Sequence, residues 1–274
     1  MTAAMSQRLK VAALLVACVP FLYPFAFMFF TAMRPEQDYV QSRLGLPTSL
    51  TLDHVSYALD NAELGRGILN SMIAVGTGVA IVVAVSALGA YWFLRHSGRV
   101  ANTLLGAVLS LWIVPYVIYI IPLFVMLSDA GLTDNLLVLG FVYGAINVPF
   151  GLYLMYAYFR DGIPGEILQA AEVDGASSWQ SFRRIVLPLS RPALATLAAL
   201  AFVWTWGDLV ISLILIQSSE NFTLTVAAST LAGRFDSEPQ ANAAAALIAL
   251  LPILIVFLCA QRAIRSGLTA GFGK

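Results

Sequence analysis

Residues 163–192 read IPGEILQAAEVDGASSWQSFRRIVLPLSRP, and long apolar runs stand on both sides of them. The stretch predicts two short helices joined by a tight turn. Pro164 suits the first turn of a helix, where its missing N–H would have no partner anyway. Glu166 follows where negative charge favours the helix dipole. Ile167, Leu168 and Ala171 can share one face, and Gln169-Ala170-Ala171-Glu172 is a run of good helix formers. Asp174-Gly175 ends this helix, because glycine tolerates the left-handed conformation of a sharp turn. Ser177 and Gln180 then have the spacing of a capping box. Phe182, Ile185 and Val186 give the second helix an apolar side, and Pro188 marks its end. A connector needs only a few residues, about 2–8 between helices, so the surplus length implies a use. The two apolar patches must be covered, either by the rest of this chain or by a docking partner.

The chain around this segment is made for lipid. It has 274 residues, 59% hydrophobic and 11% charged, with a mean hydropathy of +0.83. Soluble domains carry about 25% charged residues, so most of this surface faces lipid. A formal net charge of zero argues against a nucleic-acid partner. Six stretches reach the roughly 20 apolar residues that a span needs. They lie near 11–33, 68–94, 103–127, 136–159, 192–216 and 241–261. The expected fold is therefore all-α, a polytopic bundle of six transmembrane helices forming a single domain over 1–274. The run Val11–Met33 is too long for the apolar core of a signal peptide, and no cleavage pattern follows it, so the first span is expected to stay.

Charge orients the bundle. Of fifteen Lys and Arg residues, only Arg34, Arg43, Arg66 and Arg234 fall in outer segments when the N-terminus is cytoplasmic. The positive-inside rule then places both termini and the segment 160–191 in the cytoplasm. The turn Arg95–Arg99 reads as a solvated inner connection. Cys18 and Cys259 fall in apolar runs and read as packed thiols. With His54 and His96 the only histidines, no metal site is expected.

Helices in lipid associate by close approach and hydrogen bonding, not by apolarity. The second span supplies small residues for this: Ala74, Gly76, Gly78, Ala80, Ala84, Ser86, Ala87, Gly89 and Ala90. Pro115, Pro122, Pro149 and Pro252 interrupt spans, and such breaks survive where the freed carbonyls face protein or a wet cavity. Tyr116, Tyr119 and Asn147 lie beside them. Asp208, within Trp204-Thr205-Trp206-Gly207-Asp208, is the only acid inside a span, and an intramembrane carboxylate normally faces the interior or a cavity. Trp204 and Trp206 point to different sides of one helix. Together Tyr116, Tyr119, Asn147, Trp204 and Asp208 offer the aromatic faces and polar groups that hold sugars, and form the candidate substrate pathway. No catalytic constellation is visible. Gly267 to Lys274 lacks the spacing of a phosphate loop, so the chain is not expected to be an enzyme.

The segment 163–192 resembles the EAA loop of permease subunits in bacterial ABC importers. The resemblance rests on Gln169-Ala170-Ala171, Asp174-Gly175-Ala176, Phe182, Ile185 and Pro188-Leu189. Gln169 stands where the family has Glu, which keeps size and hydrogen bonding and loses a charge. The six spans, the long first external segment and the ending Ala260-Gln261-Arg262…Gly267-Leu268-Thr269-Ala270-Gly271 look like the second permease of the maltose-importer type, with a MetI-like fold. The resemblance implies transport of a carbohydrate or related polyol by alternating access in a bacterial inner membrane. It implies a second related permease, two ATP-binding subunits and an extracytoplasmic solute-binding protein as partners. ATP and Mg would sit on the ATP-binding subunits, with no cofactor in this chain. Glu166, Ile167, Gln169, Ala170, Ala171, Asp174, Gly175 and Ala176 would carry the contact with the ATPase. The competing reading is an ion- or proton-coupled carrier that uses Asp208.

Overall fold

The computed structural model describes residues 2–45, 47–61, 63–96, 98–233 and 239–272. Among these, all regular structure is helical. The chain begins with α1 (Thr2–Ala32), α2 (Glu36–Gln41), α3 (Asp53–Asn61) and α4 (Leu64–Arg95). Next come α5 (Arg99–Leu111), α6 (Tyr116–Asp129), α7 (Leu136–Gly162) and α8 (Gly165–Val173). A second short helix is built from α9 (Ser178–Ser181), a π-helical turn (Phe182–Val186) and α10 (Leu187–Leu189). It leads into α11 (Arg191–Trp206), α12 (Val210–Leu215), α13 (Leu224–Ala232) and α14 (Pro239–Phe272). Two compact units divide the chain, Met1–Gly65 with Ala227–Leu251 and Arg66–Val226 with Pro252–Lys274.

In the first unit, α1 contributes the apolar stretch Leu9–Ala32, whose span-length window has no buried residue. Cys18 is exposed there, as is Cys259 in α14. The expectation of packed thiols therefore fails, because these helices turn those faces outward. The polar segment after α1 is folded around Arg34, which is only 2% exposed. Its Nη1 donates to Ser42 O at 2.7 Å and Arg43 O at 3.1 Å, and its Nη2 to Gly45 O. Buried guanidinium groups persist only when hydrogen-bonded in this way. Asp38 Oδ2 accepts Thr48 N at 2.7 Å and Thr48 Oγ1 at 2.6 Å, closing the same loop.

The second unit carries the main core, where Val82, Tyr91, Leu152, Met155, Phe159, Phe182, Val186 and Leu197 are all buried. Within it α4 approaches α7 closely. A β-carbon on Gly140 would lie 2.7 Å from Ala74 O and 2.6 Å from Thr77 Cβ. One on Gly144 would lie 2.6 Å from Ile81 Cγ2, and one on Gly151 would strike Ser86 Oγ. Gly78 answers from α4, where a β-carbon would meet Tyr143 Cβ at 2.8 Å. Only hydrogen atoms fit at these positions, and the two backbones meet there as small residues permit in lipid. Part of the expected α4 stripe does this: Ala74, Gly78, Ser86, Ala87 and Ala90 are buried, whereas Gly76, Ala80 and Ala84 face outward.

Among the described residues, four helices are long and apolar enough to cross a membrane, Leu9–Ala32, Leu64–Arg95, Leu136–Gly162 and Pro239–Arg262. Counting each of two bent pairs as one span makes up to six. The stretch expected as a continuous third span bends by 93° between α5 and α6. Pro115 explains the break: it stands extended at φ −60°, ψ 129° as the N-cap of α6, has no N–H to donate, and pushes Val114 out of helical geometry. By contrast, Pro122, Pro149 and Pro252 lie inside continuous helices. The expected fifth span is also interrupted, since Gly207–Leu209 separates α11 from α12.

Polar side chains bind the connections of this unit together. Asp134, in the left-handed region at φ 57°, accepts Gln217 N at 3.1 Å and Ser218 N at 3.0 Å on Oδ1. Asn70 Nδ2 donates to Glu220 O at 2.8 Å and Phe222 O at 3.0 Å. Partial burial raises the Asp134 carboxyl, but the hydrogen bonds from Ser218, Gln217 and Asn221 outweigh it and hold the group below the usual carboxylate value. A depressed folded pKa gives stability that is complete above the unfolded value, about 3.9, and lost as pH falls through the folded one.

Two outcomes are expected. Gly140→Ala should destabilise the detergent-solubilised protein by about 1–3 kcal/mol, as overpacking does, while Gly106→Ala, with open space around it, should not. Thermal unfolding measures both. Asp134→Ala should lower the unfolding temperature at pH 7, and its difference from wild type should shrink as pH falls below about 4.

Candidate functional site

Two places in the second unit carry the candidate residues. The first is the hairpin of α8 and α9–α10. Pro164 is the N-cap, at φ −59° and ψ 127°, so the helix starts one residue later, at Gly165. At the other end Gly175 has φ +78°. Gly175 N donates to Glu172 O at 3.0 Å and Ala176 N to Ala171 O at 2.9 Å, the paired bonds of a Schellman turn. Ser177 Oγ then accepts Gln180 N at 3.2 Å while Gln180 Oε1 accepts Ser177 N at 2.8 Å, which completes the capping box. The second helix does not stop at Pro188. A π-turn carries it through to Leu189, with Leu187 N bonding Phe182 O, and Ser190 Oγ accommodates the end by donating to Val186 O at 2.6 Å.

The hairpin divides its surface in a way that periodicity did not resolve. Phe182 and Val186 are buried in the core of the unit, with Leu168 packed against it. Ala171 is 8% exposed, so of the expected coupling residues this one faces inward. Glu166, Ile167, Gln169, Ala170, Asp174 and Gly175 are exposed, and Ala176 is half-buried. Two apolar residues absent from the expected set join the open face. Val173 is 88% exposed and Trp179 is 59% exposed.

The hairpin is fastened to the end of α4. Arg95 pairs with Glu172, and Tyr91 Oη donates to Ser178 O at 3.0 Å. The Tyr91 ring lies 5.0 Å from that of Phe182, which stands 5.5 Å from Trp179. Arg95 is thus more than part of a solvated turn. It joins α4 to α8 across 77 residues of sequence, a separation that no local pattern reports.

The second place is a cavity of about 380 Å³ set among the α5–α6 bend, α7 and the α11–α12 break. Tyr116, Tyr119, Asn147, Trp204 and Asp208, expected as one pathway, all line it. Sequence reasoning missed Trp112, Tyr143 and Thr205, which line it too. Trp204 packs edge-on against Phe150 at 4.8 Å and is 43% exposed, whereas Trp206 is 2% exposed, so the two tryptophans do part ways. Asp208 sits in the break between α11 and α12. Its Oδ2 accepts from Tyr143 Oη at 3.0 Å, Ser212 N at 3.0 Å and Ser212 Oγ at 3.3 Å. Its Oδ1 has one long bond, from Ile211 N at 3.4 Å. Tyr143 Oη also lies 2.6 Å from Ser212 Oγ, and Asn147 Nδ2 donates to Tyr143 O at 2.8 Å. The carboxylate therefore closes the broken helix with one oxygen and keeps acceptor capacity on the other. A neighbouring cavity of about 670 Å³ is lined almost wholly by apolar side chains, among them Leu123, Leu127, Phe141 and Pro149.

The chain is similar to known proteins over nearly all of its length. Residues 76–269 match the family described as binding-protein-dependent transport system inner membrane component. A melibiose/raffinose/stachyose import permease of Bacillus subtilis is 30% identical over 277 residues, covering 100% of both chains. A trehalose transport system permease of Mycobacterium tuberculosis is 30% identical, with 92% of each chain covered. Among solved structures, a bacterial ABC transporter for the acidic polysaccharide alginate superposes with a TM-score of 0.76 at 21% identity, over 96% of this chain and 97% of that one. That likeness shows the fold.

Replacing Tyr143 with Phe removes one donor to Asp208 and keeps the ring. Tyr143→Phe should cost about 1–3 kcal/mol in thermal unfolding, because it leaves a part-buried carboxylate short of a partner, whereas Tyr119→Phe should leave stability within about 0.5 kcal/mol.

Proposed function

Because the chain belongs to the family of binding-protein-dependent transport system inner membrane components, we propose that it is the permease of an ATP-driven importer of a carbohydrate or related polyol. Membership of this family makes it a multi-pass membrane transport component and not an enzyme. The carbohydrate reading draws on the names of its relatives, which import melibiose, raffinose, stachyose and trehalose. Its partners would be a second related permease, two ATP-binding subunits that hold ATP and Mg, and an extracytoplasmic solute-binding protein. Both termini and the α8 hairpin would face the cytoplasm, as the distribution of basic residues predicts.

The observation that carries this reading is the open face of α8. Val173 at 88% and Ile167 at 41% exposed, on a helix stopped by a Schellman turn, would offer apolar surface to another protein. Glu166, Ile167, Gln169, Ala170, Asp174, Gly175 and Ala176 would meet the ATP-binding subunit there. Ala171, buried beneath, would support that face. Motion of α8 would reach the membrane helices along two routes. One is the ion pair of Glu172 with Arg95 and the bond of Tyr91 to Ser178, which lead to α4. The other is the backbone itself, from Phe182 and Val186 in the core to α11 and the break at Asp208. Alternating access follows when ATP-driven closure of the partner subunits moves α8 and with it the walls of the 380 Å³ cavity. A carrier energised by protonation of Asp208 is disfavoured by family membership.

Gly175→Val tests the handle. A β-branched residue at φ +78° is strained by about 1–3 kcal/mol. Uptake of labelled solute by cells carrying the whole importer should fall at least tenfold, with the protein still present in the membrane fraction. Wild-type uptake by this variant would count against docking at the turn.

A further inference from the structure

The lining of the cavity that holds Asp208 bears on the charge of the solute. It includes one carboxylate, three phenol hydroxyls, a carboxamide and two indoles, and no Lys, Arg or His. An acidic solute entering the cavity would meet a negative group and no compensating cation from this chain. Asp208 is part-buried, so solvent screens that mismatch less than it would on an open surface. The geometry of Asp208 sharpens the point. Oδ2 is occupied by Tyr143 and Ser212, but Oδ1 holds only the 3.4 Å bond from Ile211 N. An acceptor fixed on one side and open on the other suits a donor such as a sugar hydroxyl. The rings of Trp204 and Tyr116 in the same lining offer flat apolar faces for the C–H side of a pyranose.

We infer that this permease passes neutral saccharides, with a solute hydroxyl donating to Asp208 Oδ1, and excludes uronates and sugar phosphates. The inference rests on the carbohydrate-import reading above and narrows it. It separates this chain from the alginate transporter that shares its fold, whose solute is an acidic polysaccharide. Tyr143 acts here as a positioning residue, holding Oδ2 so that Oδ1, with its single long bond from Ile211 N, keeps room for a further donor.

The test uses cells that express the complete importer, with deletion of this chain as background. The probes are radiolabelled trehalose, raffinose and melibiose on one side, and a trimeric uronate and glucose 6-phosphate on the other. The expected result is uptake dependent on this chain for at least one neutral probe and none for either acidic one. Asp208→Asn, at wild-type abundance in the membrane, should then raise the half-saturating concentration for the neutral probe about tenfold or more. Tyr143→Phe should produce a smaller rise in the same constant. Chain-dependent uptake of an acidic probe overturns the inference and leaves the import reading standing. Neutral uptake with an unchanged half-saturating concentration in Asp208→Asn also overturns it. Chain-dependent uptake of no saccharide at all overturns both.

Discussion

A bilayer offers no water to a broken helix, so every backbone group released inside it must find a partner in the protein. That constraint organises the functional parts of this chain. Where α11 ends at Trp206, the amides of Ile211 and Ser212 turn to the Asp208 carboxylate. Satisfying the backbone in this way places a charged acceptor at a cavity wall, where the transport reading needs a polar group. At the end of α8 the same rule is met by backbone alone. The Schellman turn at Gly175 closes α8 with bonds to Ala171 and Glu172, and leaves its outer face free of any duty to its own fold.

Close approach joins α4 to α7. Gly140 and Gly144 let α7 lie against Ala74, Thr77 and Ile81 of α4 without intervening side chains. A seam held this way resists shear, because a displaced backbone meets side chains at once. The far end of α4 is the part to which Arg95 and Tyr91 bind the hairpin. A force applied to α8 therefore reaches α4, and through the glycine seam α7, on which Tyr143 and Asn147 stand. The proposed handle and the proposed cavity are joined by packing as well as by chain.

What could be read in advance was whatever depends on near neighbours in sequence. The capping box of Ser177 and Gln180, the glycine turn at 175 and the parting of Trp204 from Trp206 all follow from spacings of a few residues. The five cavity residues were legible as a chemical mixture beside prolines and an intramembrane acid. Pairings across long stretches were not: Tyr143 with Asp208 spans 65 residues, and Arg95 with Glu172 spans 77. The direction of Ala171 and the covering of Phe182 needed the core to be seen. The severity of the Pro115 break needed the surrounding helices, since a proline alone signals a kink of unknown size. The spacing of Gly140 and Gly144 is present in the sequence as a small-xxx-small pattern, but only the packed α4 shows which small residues it meets.

The claim on which the account turns is that α8 is gripped by a separate nucleotide-driven subunit. Site-directed cross-linking tests it most directly: Val173→Cys in a chain without Cys18 and Cys259, within the complete complex, treated with a short homobifunctional thiol reagent. The account predicts a cross-link to an ATP-binding subunit carrying a complementary cysteine, with a yield that changes on adding ATP. A cysteine at 173 that reacts only from the outer side of sealed cells, or that links to no ATP-binding subunit, would contradict it.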